Sequence, residues 1–141
     1  MRDLPKDASA TPDSALAKLI GRKILAFDVE TGQVEVSFTI TDDFINMQGV
    51  LHGGAYATML DTACGVAVRS LLDMDKFAGH ATLELKTSYL KAGGPGDYLA
   101  KGQVQRIGKS IAFADATLYN SDFELVGSAS ATFILRRRKS A

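Results

Sequence analysis

Between Gly49 and Val68 the chain holds one formal charge, Asp61. Around that acid run Ala55, Ala57, Ala63, Gly65 and Ala67, with Tyr56, Met59, Leu60 and Val66 between them. The segment from about Gly53 to Leu72 contains no proline, and its length and residue types read as one long helix. A helix that is small or apolar around most of its circumference is a buried one. Its small residues let a sheet lie close against it. A carboxylate in such surroundings is costly unless something compensates it, so Asp61 needs a structural or a chemical reason.

The other segments read mostly as strands. "DSALAKLIG" has the form of a short helix, with Asp13 or Ser14 as N-cap and Gly21 just past its end. In "KILAFDVETGQVEVSFTI", Val34, Val36, Phe38 and Ile40 alternate with polar residues, and "ETGQ" marks a hairpin. "TDDFINMQGVL" reads as a loop with one helical turn. After the helix, "HATLELKTSYL" places Ala81, Leu83, Leu85 and Tyr89 at one parity. "GDYLAKGQVQRIG", "SIAFADATLYN" and "FELVGSASATFILRRR" follow, with turns at Gly108–Lys109 and Ser121–Asp122. Strands in sequence joined by tight turns form an antiparallel meander, so the class is α+β.

At 141 residues, 46% of them apolar, the chain suits a single domain over 1–141, with residues 1–13 as a loose tail. The formal net charge is zero, which argues against a nucleic-acid partner. The N-terminus is polar and charged, unlike a signal peptide, and Asp61 interrupts the best candidate for a membrane span. A lone Cys64 has no partner for a disulfide and no metal-ligand spacing. The reading is a cytoplasmic protein with no membrane association, no cofactor and no metal.

One helix can be covered by a few strands only if the sheet curls around it, which is the hotdog fold: a long central helix wrapped by a curved antiparallel sheet. "NMQGVLHGGAYATMLD" resembles the signature of hotdog-fold acyl-CoA thioesterases of the phenylacetate-pathway type, within the 4-hydroxybenzoyl-CoA thioesterase superfamily. The matching positions are Asn46, His52 and Gly53 of the HGG, and Asp61. The resemblance implies hydrolysis of an acyl- or aryl-CoA to free acid and coenzyme A. It also implies a homodimer, assembled further into a dimer of dimers, with each site shared between two subunits.

The chemistry of these parts can be weighed separately. Gly53 and Gly54 open the helix, where amide hydrogens lack intrahelical acceptors. A thioester oxygen held there would be polarised; the plainer reading is a tight turn. Asp61 lies eight residues on, a rise of about 12 Å. Reacting atoms must approach to about 3–3.5 Å, so both groups can serve one thioester only from different chains. Asp61 is read as nucleophile or general base, its alternative being a structural pairing. Asn46 would orient the carbonyl or a water, or simply form an Asx turn. By resemblance His52 is a positioning residue, and Thr82 contacts the water or the acid. Thr62 and Cys64 read as packing.

Basic residues are expected where coenzyme A phosphates lie. The turn "QRIGKS", with Arg106, Gly108, Lys109 and Ser110, resembles the family's nucleotide contact; Arg136–Lys139 is a second candidate, or a solvated tail. Arg69 and Lys91 are further possibilities. Tyr56 and Met59 would line the acyl pocket or belong to the core, and Gly54 at the helix start is read as substrate-binding. Two other functions share this fold. A hydratase or dehydratase is disfavoured because "HGGAY" stands where a proline-rich loop would follow the histidine. A non-catalytic acyl-CoA-binding protein is disfavoured because the short N-terminal segment leaves no room for a DNA-binding unit.

Overall fold

The computed structural model describes residues 1–4 and 13–140. The elements are α1 (Ala15–Leu19), β1 (Lys23–Phe27), β2 (Gln33–Ile40), a 3-10 turn (Asp42–Phe44), α2 (Gly53–Leu71), β3 (Phe77–Tyr89), β4 (Gly96–Ile107), β5 (Ile111–Tyr119) and β6 (Leu125–Arg137). Ser14 caps α1 by accepting from the Ala17 amide, and Gly21 follows in the left-handed region at φ +60°.

The six strands form one antiparallel sheet in the order β1-β2-β4-β5-β6-β3. The hairpin and the β4–β5–β6 meander are as expected. Strand β2 joins this meander beside β4, and β3 crosses to the far side of β6, which leaves β1 and β3 as the edges. The sheet curls so far that α2 packs against all six strands. This is the hotdog arrangement.

The close approach has a specific cause. A Cβ on Gly102 of β4 would lie 2.6 Å from the Ala63 carbonyl oxygen of α2, so only glycine lets the strand rest there. Met59, Leu60, Ala63, Cys64, Ala67 and Val68 of α2 are buried against Val36, Phe38, Leu118, Val126 and Phe133. Met59 is therefore core and not a pocket wall.

Burial of α2 is less complete than its composition suggests. Ala57, Thr58, Asp61 and Thr62 share a stripe that is only partly covered. Strands β1 and β3 do not pair with each other, so the sheet leaves a gap over that stripe.

A second difference lies in β3. Its register shifts between Thr82 and Glu84, which makes Leu83 the extra residue of a bulge. Before the bulge, His80 and Thr82 face α2; after it, Leu85 packs on the core. Leu83 is 56% exposed. The single apolar parity expected for Ala81, Leu83, Leu85 and Tyr89 thus belongs to two faces, because a bulge exchanges inside and outside along a strand.

The expected loose tail falls partly on residues 5–12, outside the described residues. Residues 2–4 are held: Leu4 N–H donates to the Ala78 carbonyl at 2.7 Å. Arg136 bonds Asp3 at 2.8 Å and the Arg2 carbonyl at 2.8 Å. Arg138 bonds the Met74 and Leu4 carbonyls at 2.8 and 2.9 Å. The basic run is therefore not a solvated tail.

Candidate active site

The loop before α2 is fixed by Asn46. Its Oδ1 accepts from the Gln48 and Val50 amides at 2.9 and 3.2 Å, and its own amide donates to the Val50 carbonyl at 2.8 Å. This is the Asx-type turn that a loop asparagine readily makes. Gly49 closes it at φ +78°.

His52 is the N-cap of α2. Its Nδ1 accepts from the Gly54 amide at 2.8 Å and its carbonyl accepts from the Ala55 amide at 2.9 Å. With Nδ1 accepting, a neutral imidazole carries its proton on Nε2. Two of the orphan donors of the helix are thereby satisfied. The Gly53 amide, by contrast, has no acceptor among the described residues. It opens on a cavity of about 330 Å³ lined also by Tyr56, Tyr89 and Lys91. The rings of Tyr56 and Tyr89 meet edge to face at 5.5 Å, and the Tyr56 hydroxyl donates to the Lys91 carbonyl at 2.7 Å. Lys91 itself is ion-paired with Glu124.

Asp61 stands two turns further along α2, on the uncovered stripe. Thr82 Oγ1 donates to Asp61 Oδ1 at 2.8 Å. The bulge at Leu83 follows directly, and β3 up to that point faces the helix. Asp61 has no ion pair among the described residues. It lines a cavity of about 400 Å³ that also reaches Gly65, Arg69 and His80. Gly53 is not part of that cavity.

The structure thus brings Asp61 and Thr82 together and groups Asn46, His52, Gly53 and Gly54 at the helix start. Within one chain it leaves the two groups apart. The β4–β5 turn carrying Arg106, Gly108, Lys109 and Ser110 is closed by the Gly108 amide on the Ile111 carbonyl at 2.8 Å. It lies against the end of β6, where Leu135 N–H donates to the Ser110 carbonyl at 2.8 Å. Arg136 and Arg138 are engaged with the N-terminal residues as described, and the Arg137 guanidinium stacks over Phe77 at 4.9 Å. Arg69 is 9% exposed and lies on the Asp61 cavity, one residue along the helix from Val68 of the core.

Cys64 is buried, with Sγ 3.7 Å from the Ala114 carbonyl oxygen. Burial, with the Asp61 and Asp115 carboxylates adding to it, pushes its thiol up to about 12. It is packing, as its sequence context indicates. Two residues beside Asp61 carried no expectation: Gly65, one turn after Asp61, and His80, two positions before Thr82. The available signal was geometric. A strand antiparallel to a helix matches i−2 with i+4, so a partner for Thr82–Asp61 predicts one for His80–Gly65.

A long helix enclosed by an antiparallel sheet, with a lone acid on its open stripe, defines a hotdog-type thioester hydrolase. Residues 48–126 match the family model described as the thioesterase superfamily, and the chain belongs to that family. A Halobacterium salinarum protein to which an esterase role is assigned is 32% identical over 78% of this chain and 73% of its own length. The medium/long-chain acyl-CoA thioesterase YigI of Salmonella typhimurium is 31% identical, over 62% of this chain and 64% of its own. A phenylacetic acid degradation-related protein from Ralstonia eutropha JMP134 superposes with a TM-score of 0.81 at 31% identity. That match covers 88% of this chain and 92% of the other. No helix among the described residues is long and apolar enough to cross a membrane.

Proposed function

We propose that the chain hydrolyses acyl-coenzyme A thioesters in a site assembled from two copies of itself. The observation that carries this reading is the state of Asp61: a carboxylate on a cavity, oriented by Thr82 and without a cationic partner among the described residues. A purely structural acid at this depth would be expected to hold a lysine or arginine.

The Gly53 amide of one protomer receives the thioester oxygen. As the carbon becomes tetrahedral, negative charge grows on that oxygen, and a donor fixed in place there contributes about 3–4 kcal/mol. Asp61 of the other protomer supplies the electron pair, either to a water proton or to the thioester carbon itself. Water enters the acyl product as its new oxygen, and coenzyme A leaves as the thiol. His52 holds the helix start in shape and keeps the Gly54 amide occupied, so the Gly53 donor is the one left for substrate. Asn46 sets the loop that leads into it, and Arg106, Gly108, Lys109 and Ser110 attract the coenzyme phosphates.

Two features support pairing of chains. Gly53 and Asp61 open on different cavities. Strand β3, thirteen residues long, has no second strand beside one of its edges among the described residues, and such an edge is a template for a second chain. A two-fold pair joined through β3 brings the seam to Asp61 and Thr82. A dimer of such dimers and a cytoplasmic location complete the reading.

The test is thiol release from a panel of aromatic and aliphatic acyl-CoAs. Asp61→Asn is expected to lose at least about a thousandfold in kcat while still binding acyl-CoA. Mixing Asp61→Asn chains with Gly53→Val chains should regenerate sites that have one intact amide and one intact carboxylate. Full activity of folded Asp61→Asn removes the acid from the reaction; no recovery in verified mixed dimers removes the shared site.

A further inference from the structure

Tyr56 and Tyr89 both line the cavity at the start of α2, and among the described residues only Tyr56 spends its hydroxyl hydrogen within the chain. That hydrogen goes to the Lys91 carbonyl. Burial raises the Tyr56 phenol above its ordinary value, so it keeps its proton and stays a donor to the loop. The same loop is held twice more. Leu51 N–H donates to the Gly93 carbonyl at 2.9 Å, and the Tyr98 hydroxyl donates to the Gly94 carbonyl at 2.7 Å. The cavity wall that Lys91 belongs to is thus fixed by hydrogen bonds, one of them from Tyr56.

Tyr89 is placed differently. It is the last residue of β3, and Leu85, Thr87 and Tyr89 alternate on the strand face turned to α2. Its ring lies against the helix start: a Cβ on Gly53 would stand 3.5 Å from Tyr89 Cζ and 3.6 Å from Tyr89 Oη. The edge-to-face contact with Tyr56 sets the ring's orientation. Thr87 Oγ1 donates to Tyr89 Oη at 3.1 Å. A phenol both accepts and donates through its oxygen, so Tyr89 accepts from Thr87 and still has its own hydrogen to give. That hydrogen has no acceptor among the described residues, and neither has the Gly53 amide. Two donors of one chain, side by side and without acceptors, therefore open on one cavity.

We infer that Tyr89 Oη donates a second hydrogen bond to the thioester oxygen that the Gly53 amide receives, and that Thr87 positions it. This rests on the thioesterase reading given above and adds a residue to that same site. A carbonyl oxygen has two lone pairs and accommodates two donors. As negative charge builds on it, both bonds strengthen, so the gain falls on the transition state more than on bound substrate. The tyrosine keeps its proton throughout. The electron pair gathered on the oxygen returns to the carbon as the C–S bond breaks.

Tyr89→Phe tests this, because it keeps the ring and its contact with Tyr56 and removes only the hydroxyl. Thiol release is followed with acetyl-, hexanoyl- and benzoyl-CoA. For each ester that the wild-type chain turns over, kcat should fall by about a hundredfold, with KM within about threefold of wild type. The factor should be the same for each ester, since all present the same oxygen, and thermal melts should match wild type. Thr87→Val should lower kcat of the wild-type chain and change nothing further in Tyr89→Phe, where the hydroxyl it orients is gone. A Tyr89→Phe kcat within about threefold of wild type, a loss confined to one acyl group, or a loss in KM alone overturns the second donor and leaves the hydrolase reading standing. Equal effects of Thr87→Val in both backgrounds overturn the positioning by Thr87. Absence of wild-type turnover with every ester overturns the hydrolase reading, and this one with it.

Discussion

Thr82 Oγ1 donates to Asp61 Oδ1 across 2.8 Å, from the strand directly before a bulge to the middle of the long helix. The bond occupies one carboxylate oxygen from the sheet side, and the residue lines the cavity beside it. It is the only hydrogen bond to the Asp61 side chain among the described residues.

Removing that donor should cost activity more than stability. A hydrogen bond to a charged group contributes about 1.5–3 kcal/mol, so Thr82→Val is expected to lower kcat/KM by roughly 10- to 100-fold. Thr82→Ser retains the hydroxyl and should stay within about threefold of wild type. Steady-state thiol release with both variants checks this; equal activity of the valine and serine variants would show that the hydroxyl is idle.

His52 is expected to matter through the helix start. His52→Ala leaves the Gly54 amide without its cap and should lower stability by about 1 kcal/mol, whereas His52→Asn restores an acceptor. Thermal melts measure the cap, and kcat of the asparagine variant measures the chemistry. Substantial turnover with asparagine at 52 is the expected result; complete loss at normal stability would make the imidazole itself a reacting group.

The stability of the chain should depend on His80 in mildly acidic solution. Its ordinary value is 6.5, and in the fold it is held down to about 4. Between those values the unfolded chain binds a proton that the folded chain refuses. The contribution is therefore fully present above pH 6.5 and is lost as pH falls toward 4, by up to roughly 3 kcal/mol. Denaturant titrations between pH 7 and 4 should show this slope, and His80→Phe should flatten it. A wild-type profile as flat as that of the variant would refute the assignment.

Cys64 should be inert in the native protein. Its thiol is buried and pushed up to about 12, so almost no thiolate is present at pH 8. Aromatic disulfide reagents should react with it only after unfolding, at a rate that follows global opening. Prompt stoichiometric labelling of folded protein would contradict the packing described here.

Much of this architecture is legible in the sequence because it is local. The β1–β2 hairpin follows from the ETGQ turn and the alternation of Val34, Val36, Phe38 and Ile40 after it, and the meander follows from short turns at Gly108–Lys109 and Ser121–Asp122. The length of α2 follows from an unbroken run of helix-compatible residues. The neighbours β2–β4 and β3–β6 are not legible in this way, since they join segments far apart in the chain and depend on how the sheet closes around the helix. The bulge at Leu83 has no local marker, and it turned an apparent apolar face of β3 into two. At the site, Asp61 announced itself as a charge among apolar residues. Thr82 came from family resemblance, and its bond to Asp61 required the structure. His80 and Gly65 look like packing until the strand is laid along the helix.

The nineteen residues of α2 form one stiff rod, with its glycine end and its acid eight residues apart. In the paired form proposed above, two such rods lie head to tail about a two-fold axis. The gauge set by one rod then aligns both reaction centres together, and a bend in it misaligns both. Because each centre draws on both chains, diluting the pair until it separates should extinguish the two centres in a single step.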